Sequence, residues 1–150
     1  MAKNDVVKNT TYQDVLRSFE SSFQDKYVLP PPLIYEWFIK AIGYFSLEVT
    51  ELGFDSDSNE FDKELPRSVI DCLAALMKIR YQERELSRVN KMNNIIGKDV
   101  AFNSTGDTKK ATKAELDLLK QTTDEVLHKL KTNSYLGETC LSLGIKYLAH

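Results

Sequence analysis

Cysteine, histidine, glycine and proline are all scarce in this chain, at 2, 2, 6 and 4 residues of 150. The two cysteines, Cys72 and Cys140, form no CxxC, and neither His128 nor His150 adds a ligand spacing. A disulfide scaffold and a zinc site are therefore not expected, and a reducing compartment fits best. The N-terminal "MAKNDVVKNTTYQ" has no apolar core, so no secretory signal peptide is expected. Charge of one sign is lacking too. Twenty basic residues face 22 acidic ones, for a net charge of −2, so the whole chain carries no nucleic-acid footprint.

Few glycines and prolines favour long regular elements, and the apolar spacing says helices. Residues 1–9 are polar and are expected to be mobile. Tyr12, Val15, Leu16, Phe19 and Phe23 lie on one helical face that begins at Thr11, with Thr10 or Thr11 as its cap, and ends between Gln24 and Tyr27. Pro30, Pro31 and Pro32 open a second helix, since proline fits a first turn.

That helix begins in "VLPPPLIYEWFIKAIGYF", residues 28 to 45, which holds the only tryptophan. Glu36 and Lys40 interrupt it, and its apolar run is shorter than the roughly 20 residues of a membrane span. No membrane partner is expected. Leu33, Trp37, Ala41 and Phe45 form one row and Ile34, Phe38 and Ile42 the next. A helix apolar over so wide an arc is buried on more than one side, at the centre of a small domain or against a neighbouring subunit. Gly53 is its expected stop.

Residues 53–68 are acidic and turn-rich and read as a loop. Asp55, Asp57 and Asn59 imitate a calcium loop. Position six, however, is Glu60 instead of glycine, and position twelve is Pro66 instead of glutamate, so the loop reads as solvated. "STGDTKK", residues 104–110, lacks the phosphate-loop spacing.

A third helix starts around Pro66 with Val69, Leu73, Leu76 and Met77 on its face. Its second half is charged almost all round and aligns Arg80, Arg84 and Arg88 at intervals of four. The bland reading of that row is a solvated face paired with Glu83 and Glu85. The functional reading is an interface or a DNA-facing surface. Residues 97–110 read as a loop. "TKAE", residues 112–115, reads as a capping box opening a fourth helix to about Lys131, with Leu116, Leu119, Thr123, Val126, Leu127 and Leu130 on its face. At the end of the chain, Leu141, Leu143, Ile145 and Tyr147 alternate with polar or small residues, as in a half-buried strand.

The expected fold is thus all-α: a bundle of about four helices over residues 10–133, with one long charged helix. An extended tail over 134–150 would add a strand to a partner. The expected core is Leu33, Trp37, Phe38, Ala41, Phe45, Leu73, Leu76, Met77, Leu119, Val126 and Leu130. The expected interface is Arg80, Arg84, Arg88, Leu141, Leu143, Ile145 and Tyr147. Enzymatic chemistry is not expected. A di-metal bundle needs two Glu-x-x-His pairs, and Glu125–His128 is a single one. No catalytic residue, metal or cofactor is assigned.

Taken together, "YEWFIKAIGYF", "VIDCLAALMKIRYQERELS", "KDVAFNST" and "AELDLLKQTTDEVLHKL" resemble the head-to-tail adaptor proteins (neck or connector proteins) of tailed bacteriophages. The resemblance covers roughly residues 30 to 135. The chain departs from that pattern at Arg80 and Tyr81, where an acidic residue and tryptophan are usual, in the inserted "TGDTKK", and in its C-terminal tail. The resemblance implies a homo-oligomeric ring, typically of twelve copies, between the portal protein and a tail or stopper protein. Genomic DNA would pass through its channel without sequence-specific binding. It also implies synthesis in the host cytoplasm and a final place in the virion neck. The alternative reading is a small helical regulatory or binding module that acts as a dimer.

Overall fold

The computed structural model describes residues 7–24, 27–96 and 103–148; residues 93, 95, 96, 103–105 and 135–148 are described by their backbone alone. Four helices follow in order, α1 (Tyr12–Ser21), α2 (Pro31–Glu48), α3 (Arg67–Ile96) and α4 (Asn103–Leu148). Two short strands, β1 (Phe54–Asp55) and β2 (Glu60–Phe61), pair antiparallel between α2 and α3. The fold is an all-α bundle, and α3 is the element that packs against each of the other three helices.

Local sequence explains where α1 and α2 begin. Thr11 caps α1, and its Oγ1 accepts from the Asp14 backbone N–H. The Asp14 carboxylate in turn accepts from the Thr11 backbone N–H at 2.9 Å, closing a capping box. Pro31 and Pro32 occupy the first turn of α2, where no intrahelical N–H is needed. That helix stops at Glu48, five residues before Gly53. Gly53 serves the hairpin instead: its carbonyl accepts from Asp62 N–H, and a Cβ there would run into the Asp62 side chain.

The segment 53–65 is more than the solvated loop expected of it. Phe61 is 1% exposed and Leu65 5%. Burying a side chain the size of Phe61 contributes about 1.5–3 kcal/mol. Asn59 has φ 56°, a left-handed turn conformation that asparagine tolerates well. Asp55, which opened the calcium-like pattern, turns its carboxylate onto Asp57 N–H and Ser58 Oγ. The hairpin is stitched to the chain before α1. Phe61 N–H donates to the Thr10 carbonyl at 2.8 Å, and Leu65 N–H donates to Thr10 Oγ1 at 2.8 Å.

The core joins α1, α2, the hairpin and the first half of α3. Trp37, Phe38, Ala41, Phe45, Leu73, Leu76 and Met77 are buried in it, and Leu33 and Leu130 pack against it partly exposed. Leu119 is half-buried. Val126 is a correction: it is 38% exposed, because Leu116, Thr123 and Leu127 form the buried row of α4 instead. Aromatic edges meet faces where Phe54 and Phe61 pack on Phe38 and where Trp37 and Phe23 pack on Tyr81, and Tyr12 lies tilted against Phe38.

Helix α4 departs furthest from expectation. It starts at Asn103, so residues 103–110 are helical and only 97–102 of the expected loop lie outside the described residues. The "TKAE" box sits inside the helix. Thr112 Oγ1 donates to the Thr108 carbonyl, and Glu115 accepts from Gln82 across to α3. At the other end the helix runs through Leu148 where an extended tail was expected from residue 134. A lone strand would leave its backbone groups without partners, whereas a helix pairs them internally. The sequence also fits the helical period, with Leu136, Cys140, Leu143 and Tyr147 at i, i+4, i+7 and i+11. The side chains of Leu141, Leu143, Ile145 and Tyr147 lie outside the described residues, as do residues 1–6.

Trp37→Ala should lower stability by about 3–5 kcal/mol, read from denaturant titration, since the indole is 7% exposed within the core. The capping box makes a second, pH-dependent prediction. The backbone hydrogen bond from Thr11 holds the Asp14 carboxyl below its ordinary 3.8. The folded chain therefore binds that proton less readily than the unfolded one. The contribution is complete above the unfolded pKa and lost as pH falls through the folded value. Asp14→Ala should thus destabilise the protein at neutral pH and change it little near about pH 2, measured by thermal unfolding at both.

Candidate functional site

The arginine row winds along α3 from the α2–α4 side to the α1–α2 connection. Arg80 pairs with Glu83 at 3.1 Å, one turn on. Glu83 also takes Lys120 of α4 at 3.1 Å, so one carboxylate joins two cations from two helices. Arg88 pairs with Glu85 at 2.9 Å and lies 4.1 Å above the ring of Tyr27. Hydrogen bonding with Tyr27, its largest influence, raises the pKa of this guanidinium and holds it charged. Arg84 is exposed, with no ion pair among the described residues. The row therefore divides. Arg80 and Arg88 tie α3 to its own surroundings, as the solvated-face reading has it, and Arg84 is left facing solvent.

A cleft of about 200 Å³ lies where α2, α3 and α4 meet, its rim formed by Lys40, Tyr44, Arg80, Glu83, Lys120 and Asp124. Partial burial raises the pKa of the Tyr44 phenol, the nearby Glu48 and Asp124 charges raise it further, and Arg80 opposes them. Tyr44 thus keeps its proton and can only exchange hydrogen bonds here. The mixture of three cations and two carboxylates favours no single sign of ligand. His128 is exposed on α4, beside Tyr44, Glu48 and Lys131. Among the described residues no three of histidine, cysteine, aspartate and glutamate come together as a metal site.

Cys72 is buried on α3, and desolvation pushes its thiol up to about 11. At neutral pH it is a packed apolar group, without the thiolate a nucleophile requires.

Two surfaces carry more apolar area than a solvated exterior needs. A shallow trough of about 610 Å³ between α1 and the start of α2 is lined by Tyr12, Leu16, Val28, Pro31, Pro32 and Tyr35, and Val28 is almost wholly exposed. The outward face of α2 is the other, with Ile39, Tyr44 and Leu47 exposed at 38, 41 and 87%. Sequence reading located the surplus on α2 but assigned most of it to the core. The helical period alone does not say which sector of so apolar a helix faces inward.

Comparison of the chain with protein-family models, with curated proteins and with solved structures found no match. No helix among the described residues is long and apolar enough to cross a membrane.

Arg88→Ala should release the segment 27–30 from α3 and speed its amide exchange, while Arg84→Ala leaves that exchange unchanged. Exchange followed by mass spectrometry separates the two. Equal behaviour of both variants would mean that the stacked Tyr27 contact holds nothing.

Proposed function

We propose that this chain is a structural component of a tailed-bacteriophage neck, a ring that joins the portal to the tail. The observation that supports it best is the placement of unpartnered apolar surface. The α1–α2 trough around Val28 is lined mostly by apolar side chains, and Leu118 of α4 is 61% exposed. A ring closes through heterologous contacts, in which one face of a copy meets a different face of the next. An apolar trough on one pair of helices and an exposed apolar side chain on another helix are what such a contact uses.

In this reading α3 is the rigid spine, and α4 carries it lengthwise. At 46 residues α4 extends about 69 Å, against about 45 Å for the 30 residues of α3. Twelve copies would surround a DNA channel and dock a tail or stopper protein below the portal. The protein would be made in the host cytoplasm and end in the virion, with no cofactor and no catalysis. Arg84 is the member of the arginine row free to meet a neighbouring copy or the passing DNA, through phosphate contacts that carry no sequence information.

Mixing the protein with the portal protein of its own phage tests this directly. Negative-stain images should show a ring seated on the portal, and Arg84→Ala should reduce the yield of seated rings without lowering the melting temperature. A chain that never associates with the portal would overturn the reading.

A further inference from the structure

We infer that the outward face of α2 pairs with the same face of a second copy of this chain, antiparallel and across a two-fold axis near Gly43 and Tyr44. Seven residues of α2 from Glu36 onward are exposed, namely 36, 39, 40, 43, 44, 47 and 48, and they form one contiguous helical face. Ile39, Gly43 and Leu47 follow one another at intervals of four, and Lys40, Tyr44 and Glu48 form the adjoining row. A helix apolar all round is a buried helix, yet this chain covers only the sector holding Ile34, Trp37, Phe38, Ala41 and Phe45. Of the remaining sector, the Ile39–Gly43–Leu47 row is exposed, and the Lys40–Tyr44–Glu48 row borders the open clefts towards α4.

The pattern of that sector specifies its partner, because it complements itself when reversed. With Gly43 and Tyr44 at the axis, Ile39 of one copy comes opposite Leu47 of the other. Lys40 then comes opposite Glu48, and the symmetry makes both contacts twice, as in an isologous interface. Gly43 sits at the crossing, and a Cβ there would meet nothing within 4 Å, so its surface is open to the close approach of another backbone. Lys40 shares a cleft with Glu83 and Asp124, and Glu48 one with His128 and Lys131, yet neither forms an ion pair among the described residues, and both are exposed towards a partner. Helix α2 ends at Glu48, which limits the seam to about three turns and leaves Glu36 beyond the partner helix. So short a seam falls below the standard interface size, and the pair is expected to be reversible. It does not depend on the neck reading, which requires contacts on other flanks.

Sedimentation equilibrium of the free protein, at concentrations up to about 1 mM, tests the pair without any portal present. The wild type should show a monomer–dimer equilibrium. Lys40→Glu and Glu48→Lys should each weaken it by about tenfold or more, since each sets like charges opposite one another. The double reversal should restore it to near the wild-type constant. Leu47→Asp should abolish it, with circular dichroism confirming that each variant remains folded. These positions are exposed, so folding should survive. A wild type that stays monomeric throughout overturns the inference. So does self-association that ignores the reversals, or a double reversal no better than the single ones.

Discussion

Leu73 and Met77 are sealed from solvent on α3, the helix against which each of the other three packs. The first half of α3 is the surface on which the domain is assembled. α1, at 10 residues, is too short to be a stable helix alone, and it persists because Val15 and Phe19 enter the same core. The contact between α1 and α3 has a polar edge as well, with Ser18 Oγ donating to Asp71 at 2.7 Å and Lys78 Nζ donating to the Ser22 carbonyl at 3.0 Å. Replacing the apolar face of α3 would therefore unseat three helices together.

Thr10 performs a similar joining role in a smaller space. Its backbone donates to the Lys63 carbonyl and accepts from Phe61 N–H, and its hydroxyl accepts from Leu65 N–H. A residue 4% exposed must satisfy those groups internally, and the hairpin supplies every partner. This fixes the start of α1 against the approach to α3, two points more than 50 residues apart in sequence. It also brings Phe61 over Phe38, so the hydrogen bonds and the aromatic packing depend on one another.

What could be read from the sequence was whatever rests on local spacing: the starts of α1 and α2, the apolar rows of α2 and α3, and the pairing of Arg80 and Arg88 with Glu83 and Glu85. The hairpin was not legible. Phe54 and Phe61 are two lone apolar residues among acids, and their burial depends on α1 and α2 being in place. The "TKAE" motif misled because a capping box needs a non-helical residue before it, and the chain from Asn103 already forms helix. Alternating Leu141, Leu143, Ile145 and Tyr147 misled for a related reason. In a segment so rich in apolar residues, periods of 2 and 3.6 are both satisfied, and backbone pairing decides. Of the candidate surfaces, the arginines were visible at once. Their division into two engaged residues and one free one depended on Tyr27 and on the i, i+3 geometry of α3.

The two halves of α3 differ in what holds them. From Val69 to Tyr81 the helix is anchored by buried apolar side chains. Beyond Tyr81 its contacts become polar, with Gln82 on Glu115, Glu83 on Lys120, and Arg88 on Tyr27. Exposed ion pairs of this kind contribute little, typically about 0–1 kcal/mol each. Asn90 adds a buried Oδ1 that accepts no hydrogen bond from a described residue. Opening should therefore start at the far end of the α3–α4 pair and stop where the apolar core begins, near Tyr81. A domain built in this way keeps a rigid body at one end while the other opens more readily. The polar half of α3 does not fail to be core: its weak contacts let that end open without unfolding the rest.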